Sequence, residues 1–340
     1  MPLFNYTRIF TCLLTFCSVL LFITIPNYAY SAYEYSQETT SRILERTPYT
    51  FTFEDYDEWL AFMDRAPDTS WRGPAMRKLV SKLDFERYRL GENVRAERIV
   101  YQSDNLKIKG FLLSPLNCNK PCPVLIYSQG GAAEWSRITF FDILEMHRLA
   151  EKGYIVITTT RRGEGGSEGK PNLGAGDLAD TRALSDIADE LPDTDSNRIH
   201  YLGFSRGAAL GYRVLASTDR ITSAVMIGGP SDSVLSPRRA EFHEFVYPGI
   251  VDNYEENQDA ALRALSALYW PEKISKTTRL LLVHGAKDKR VRPDNSLKLA
   301  ERLLMLDRTV RMILYDNGSH SLIENYPSVR NEIDHWFTAQ

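Results

Sequence analysis

Cysteine is scarce in this chain of 340 residues, with four in all, at Cys12, Cys17, Cys118 and Cys122. That number cannot staple a small disulfide-built scaffold of this length. Charge of either sign is not in excess: 41 basic residues face 44 acidic ones, for a net charge of −3. The basic footprint of a nucleic-acid binder is therefore missing. No fixed period recurs along the chain, which excludes a solenoid or a propeller built from repeats. With 43% hydrophobic and 25% charged residues, the composition also excludes a disordered, collagen-like or coiled-coil chain. Long apolar runs are absent except for one.

That run is at the amino terminus. From Ile9 to Tyr33 no residue is charged, and Arg8 is the only charge before Glu34. The apolar core spans Ile9 to Ile25, Pro26 and Asn27 break it, and the small residues Ala29, Ser31 and Ala32 follow. A basic start, an apolar middle and a small-residue end predict a secretory signal peptide over residues 1–32. The other reading is an uncleaved membrane anchor, for which the run is slightly short of the roughly 20 residues of a span. Either reading places the rest of the chain outside the cytoplasm, exported to a periplasm or secreted. Cys118 and Cys122 remain in the exported part, where a disulfide is permitted. They form a short surface disulfide or two free thiols. No further cysteine and no nearby histidine completes a metal site.

Residues 33–97 form an accessory segment rich in charge and aromatics, with short helices expected over Tyr56–Met63 and Ala75–Leu83, the second begun by Pro74. Residues 98–340 read differently. A hairpin is expected over residues 99–113, turning at Asp104-Asn105, because Leu106 and Ile108 alternate with Lys107 and Lys109. Short β-branched and aliphatic runs then follow at Val124–Tyr127, Tyr154–Thr158, Ile199–Leu202, Ala224–Ile227, Leu280–Val283 and Met312–Tyr315. They read as buried strands. Helical segments separate most of them: Ile138–Glu151, Leu178–Leu191, Arg206–Ala216 and Ser296–Leu306, with Ile323–Phe337 last. Such alternation predicts an α/β fold, a mostly parallel sheet with helices on both faces. Residues 230–270 interrupt the alternation and read as a cap carrying Phe242, Phe245, Tyr247, Tyr254, Tyr269 and Trp270.

The segment Gly203-Phe204-Ser205-Arg206-Gly207 carries the chemistry. It is a G-x-S-x-G pattern between a strand ending at Leu202 and a helix beginning at Arg206, the setting of a nucleophile elbow. Small neighbours are needed there because a side chain at 203 or 207 would meet the flanking strand and helix. A serine nucleophile needs a base and an orienting acid, in chain order serine, acid, histidine for this elbow. Of six histidines, His320 follows the last strand at the carboxyl edge of the sheet, where ligands bind in open α/β sheets. It is the expected base. His147 and His335 read as surface or packing residues, His200 as a strand residue before the serine, His243 as part of the cap, and His284 as the donor or acceptor of a structural hydrogen bond. Asp288 is the expected acid, with Asp294 and Asp316 as weaker candidates. The oxyanion needs donors: the backbone N–H groups of Arg206 and of Gly131, in the loop Ser128-Gln129-Gly130-Gly131-Ala132. Gly130, Arg162 and Tyr247 are candidate substrate contacts. For Arg161 and Arg162 the competing reading is an ion pair that fixes their loop, and for the cap aromatics it is core packing.

From about Ile99 onward the chain resembles the catalytic domain of the prolyl oligopeptidase (S9) family of α/β-hydrolases. Ser103 to Gly110 resembles the hairpin that enters that domain, Gln129-Gly130-Gly131 its His-Gly-Gly segment, and Arg162-Gly163-Glu164-Gly165-Gly166-Ser167 its arginine- and glycine-rich loop. Asp177 to Asp186 resembles the helix before the elbow. His284-Gly285 with Asp288 and Val291, then Gly318-Ser319-His320, resemble the acid and base segments. Gln129 stands where the family usually has histidine, and Ala132 where proline is frequent. The resemblance implies hydrolysis of peptide or ester bonds through an acyl-enzyme, without metal or organic cofactor, on a small peptide or ester substrate. The alternatives are a carboxylesterase or dienelactone-type hydrolase without peptidase activity, and a non-catalytic α/β-hydrolase that binds a ligand. Nucleic acid is not an expected partner, and a membrane is one only if the amino-terminal segment is uncleaved.

Overall fold

The architecture is that of a computed structural model, which describes residues 41–65, 77–118, 121–131, 137–236 and 239–338. The leader over residues 1–32 and the helix start at Pro74 lie outside the described residues.

Apolar alternation builds the sheet. In β4 (Cys122–Ser128), Val124 and Ile126 face one core cluster while Leu125 and Tyr127 face the other, the period of two that a strand imposes. The strand β5 (Ile155–Thr159) is buried along its whole length, as a central parallel strand must be. With β1 (Ile43–Pro48), β2 (Val94–Ser103), β3 (Leu106–Pro115), β6 (Thr194–Phe204), β7 (Ile221–Ile227), β8 (Arg279–Gly285) and β9 (Val310–Tyr315), they form one nine-stranded sheet. Its order is β1-β2-β3-β5-β4-β6-β7-β8-β9. The pairs β1/β2, β2/β3 and β3/β5 are antiparallel, and all pairs from β5/β4 to β8/β9 are parallel. The expected α/β fold is therefore present, and the β2–β3 hairpin turns at Asp104, whose φ is 49°.

Helices cover both faces. Two helices, α4 (Ala175–Glu190) and α5 (Arg206–Ser217), bury Leu184, Ile187, Tyr212 and Leu215 in one cluster with the later helix α8 (Asp294–Met305). On the other face, α3 (Phe140–Glu151) and α9 (Tyr326–Thr338) bury Met146, Leu149, Ile333 and Trp336. Helix α3 begins at a capping box between Thr139 and Asp142, which satisfies two otherwise orphaned N–H groups. The cap contains α6 (Arg239–Phe245) and α7 (Gln258–Leu265) around a small core of its own, with Tyr247, Tyr254 and Leu262 buried in it.

The amino-terminal part of the described chain is joined to this framework. Strand β1 extends the sheet, and β2 starts at Val94, four residues before the expected domain boundary. Helix α1 (Tyr56–Arg65) and helix α2 (Lys82–Leu90) enclose Phe53, Trp59 and Phe85 against Leu144 of α3. The expected helix over Ala75–Leu83 is corrected here. Residues 77–79 are helical, but Ser81 is extended, accepts the Asp84 N–H and starts a new helix at Lys82. A capping serine inside an apolar-periodic stretch ends one helix and begins another. Likewise, Ile323–Asn325 is a single 3₁₀ turn, and the last α-helix starts at Tyr326.

Candidate active site

The elbow is a tight, strained turn. Ser205 has φ 53° and ψ −114°, a conformation that a non-glycine residue adopts only when its surroundings enforce it. Its N–H donates to the Ile227 carbonyl at 2.8 Å, and its own carbonyl accepts from Ala208 and Ala209 as α5 begins. The flanking glycines are required by space. A Cβ on Gly203 would stand 2.6 Å from the Gly207 oxygen, and one on Gly207 would stand 2.0 Å from the Ser128 oxygen. Hydrogen at Gly203 lets β6 turn directly into α5, and hydrogen at Gly207 lets α5 press against the end of β4 and the loop after it.

Three expected residues come together around that turn. His320 Nε2 lies 3.0 Å from Ser205 Oγ, and His320 Nδ1 lies 2.6 Å from Asp288 Oδ2. The other Asp288 oxygen accepts the backbone N–H groups of Arg290 at 2.8 Å and Val291 at 2.9 Å. Burial alone would raise the Asp288 pKa, but hydrogen bonds from His284 and His320 outweigh it and hold the carboxyl well below the usual range. The Phe204 ring packs 5.3 Å from the His320 ring. The competing acids stand elsewhere: Asp294, at the start of α8, pairs with Lys298 of that helix and with Arg292 just before it, and Asp316 accepts only the N–H of Asn317 among its described hydrogen bonds.

The loop facing the serine is held by charge. Gly130 sits against the elbow, with its Cβ position 3.1 Å from Ser205 Cβ, and Gly131 has φ 85°. Residues 132–136 lie outside the described residues. The Gly131 carbonyl accepts Arg206 Nη1 at 3.2 Å, and the Gln129 carbonyl accepts Arg161 Nη1 at 3.2 Å. Arg206 also pairs with Glu164 at 2.7 Å and Asp177 at 2.6 Å, while Arg161 pairs with Glu164 at 3.3 Å. Arg161 is wholly buried, with φ 61°. Burial and the neighbouring Arg206 charge lower its pKa. Burial acts the same way on Arg206, but Asp177 and Glu164 prevail and raise it. Sequence reasoning named the Arg206 backbone but not its side chain, and missed Glu164. The available signal was an acidic residue inside a glycine-rich loop close to an arginine pair.

Two substrate-contact expectations come out differently. Arg162 forms several hydrogen bonds with Asp180 and also reaches Asp104, so its guanidinium serves the ion pair that fixes the loop. Tyr247 is buried in the cap core against Phe242 and Tyr254, the packing reading of that aromatic. Cys118 and Cys122 are bonded as a disulfide at the entry to β4. His147 is buried against Tyr88, His200 bonds Ser223, His335 is exposed, and His243 bonds Tyr254. No group of three or more metal-ligating side chains occurs among the described residues.

Known proteins share this framework. The family model for the X-Pro dipeptidyl-peptidases (S15 family) matches residues 34–235, a span that holds the elbow but stops before Asp288 and His320. An uncharacterized peptidase of Bacillus subtilis (strain 168), YtmA, is 25% identical over 245 residues, covering 67% of this chain and 87% of its own. Among solved structures, the acylaminoacyl peptidase of Pyrococcus horikoshii superposes with a TM-score of 0.60 at 21% identity, over 73% of this chain and 42% of that one. Acetyl xylan esterase 1 of Thermoanaerobacterium sp. superposes with a TM-score of 0.57 at 15% identity, over 72% of this chain and 84% of that one. The chain thus spans less than half the length of the acylaminoacyl peptidase and about a third or less of several dipeptidyl-aminopeptidases that it matches. One further match, to the family model of the prolyl oligopeptidases, runs over residues 139–340 and takes in Ser205, Asp288 and His320 together; more than half of the chain lies within it, and the chain belongs to that family of hydrolases.

Proposed function

We propose that the chain is an exported serine hydrolase that cleaves peptide or ester bonds through an acyl-enzyme. The observation that carries this reading is the hydrogen-bonded series Ser205 Oγ, His320 Nε2, His320 Nδ1 and Asp288 Oδ2, with steps of 3.0 and 2.6 Å. Ser205 Oγ attacks the substrate carbonyl while its proton passes to His320 Nε2. Asp288 accepts the Nδ1–H and stabilises the imidazolium that forms. The negative charge on the former carbonyl oxygen is met by the N–H groups of Arg206 and Gly131. Arg206 opens α5, where the first-turn N–H groups have no acceptor within the helix. His320 then returns the proton to the departing amine or alcohol, leaving the acyl group on Ser205. Water repeats the sequence: it loses a proton to His320, releases the acid and restores the serine.

The disulfide at Cys118–Cys122 supports export, because such bonds persist in oxidising compartments. The apolar run behind Arg8 supports it independently. Labelling with a fluorophosphonate probe tests the enzyme reading. Wild-type protein is expected to be labelled, and Ser205→Ala is expected not to be. Equal labelling of the two, or none of the wild type, overturns it. Comparing p-nitrophenyl esters with peptide anilides then assigns the bond: hydrolysis of esters alone removes the peptidase half of the proposal.

A further inference from the structure

The carboxylate that orients His320 is shared by a second imidazole. Asp288 Oδ2 lies 2.6 Å from His320 Nδ1 and 3.2 Å from Nε2 of His284. His284 is fully buried in β8, four residues before Asp288. Its Nε2 also faces the Val291 carbonyl at 3.0 Å. Carboxylate and carbonyl oxygens are acceptors only, so the hydrogen of a neutral His284 ring belongs on Nε2. The opposite nitrogen, Nδ1, lies 2.7 Å from the Ser296 hydroxyl of α8. That hydroxyl donates to it, which fixes the tautomer.

Resting on the relay proposed above, we infer that His284 is a positioning residue for Asp288: its Nε2–H, shared between the Val291 carbonyl at 3.0 Å and Oδ2 at 3.2 Å, holds Oδ2 in line with His320 Nδ1. The two backbone donors fix only the far oxygen, Oδ1. Without His284 the near oxygen keeps a single donor, the same imidazole it is meant to orient. The carboxylate can then turn about its own axis, and the direction of the His320 ring turns with it. The hydrogen bond also drains some of the carboxylate's charge, in keeping with the low Asp288 pKa to which both histidines contribute. A merely structural His284 would tie β8 to α8 through Ser296 and leave the relay untouched.

Two measurements test this role: the first checks that Nε2 carries the hydrogen it needs, and the second separates positioning from a merely structural tie. In wild-type protein with ¹⁵N-labelled histidine, NMR is expected to show His284 protonated on Nε2 and bare on Nδ1. The reverse tautomer leaves Nε2 with nothing to donate and overturns the proposal, whatever any variant does. In fluorophosphonate inactivation, His284→Leu is expected to lower kinact by about 10- to 100-fold while KI changes less than about threefold. His284→Gln, which retains an N–H of similar reach, is expected to recover most of that loss. A folded His284→Leu protein with wild-type kinact, or equal losses in the Leu and Gln variants, overturns it. Wild-type protein that is not labelled at all overturns the relay itself, and the role of His284 with it; contrary variant or tautomer results in labelled protein overturn the role of His284 alone.

Discussion

Two buried arginine–carboxylate networks lie against helices of opposite faces of the sheet, and they differ in what their arginines reach. On the α3/α9 side, Glu145 accepts from Arg148 at 2.7 Å and from Arg330 at 2.6 Å, and Arg148 continues to Asp334 at 2.7 Å. Apart from one bond from Arg330 to the Leu79 carbonyl, these groups join helix to helix. On the elbow side, Arg206 and Arg161 each give a bond to a carbonyl of the loop that faces Ser205. Residue types and most distances are alike, although the elbow network is the more deeply buried, with Asp334 of the other partly exposed. A buried ion pair is weak evidence of stability in itself, because desolvation offsets most of the attraction. The location decides what the network does: one side fixes a helix pair, the other fixes the loop beside Ser205.

Breaking the elbow network should have the largest effect. Arg206→Met leaves Glu164 and Asp177 buried without the guanidinium they share, and should lower stability by about 3–5 kcal/mol. It also releases the Gly131 carbonyl, so kinact with a fluorophosphonate should fall by about 100-fold, the scale of losing an oxyanion donor. Thermal unfolding and inactivation kinetics on the same protein read both effects. A loss of stability with an unchanged rate would make the two networks equivalent and remove the distinction drawn between them.

The counterpart is Glu145→Gln. Glu145 is buried, and although burial raises its pKa, Arg148 and Arg330 outweigh that and hold it below the usual carboxyl value. A depressed folded-state pKa contributes stability above the unfolded value, and that contribution is lost as pH falls through the folded value. The Gln variant should therefore lose about 3 kcal/mol at neutral pH and show a flatter decline of its unfolding temperature in acid. Its inactivation rate should stay within about twofold of wild type, as for a site distant from the chemistry. A large fall in rate would show that the α3/α9 network also supports the site.

The difference between the networks was not legible in the sequence, whereas the site they flank was. G-x-S-x-G between a β-strand and a helix carries its own geometry, and chain order points from Ser205 to Asp288 and His320. The buried strands were legible for the same reason, since aliphatic runs such as Leu280–Val283 have few other uses. Side-chain pairing across the fold is another matter. Arg206 meets Glu164 and Asp177 only after β5, α4 and β6 are stacked in register, and no local spacing encodes that. Ser81 shows the same limit at short range. It reads as one more residue of an expected helix, yet its hydroxyl caps the next one. Strands β1 and β2 begin before the expected boundary at residue 98; their charged residues Glu45, Arg46, Arg95, Glu97 and Arg98 hide them from a search for aliphatic runs, and they join the sheet at its antiparallel side.

The smallest effect at neutral pH should come from His147, which sits two residues from Glu145 on α3. Its ring stacks on Tyr88 at 5.0 Å and meets the edge of Phe51 at 5.4 Å. Neither ring nitrogen has a hydrogen-bond partner among the described residues. Burial lowers its pKa to about 4, below the unfolded value of about 6.5. The unfolded chain therefore binds the extra proton first as pH falls. Stability contributed by the neutral ring is complete above about pH 6.5 and is lost between there and about pH 4, by up to about 3 kcal/mol. His147→Phe keeps the aromatic packing and removes the titration. Its unfolding free energy should match wild type within about 0.5 kcal/mol at neutral pH and exceed it increasingly toward about pH 4.5. Parallel pH curves for the two proteins would mean that the α3 side has no acid-sensitive histidine, leaving Glu145 as the group that sets its response to acid. Because His147 contacts the aromatic brace formed by α1 and α2 and touches none of Ser205, His320 or Asp288, the inactivation rate at neutral pH should be the same in both proteins.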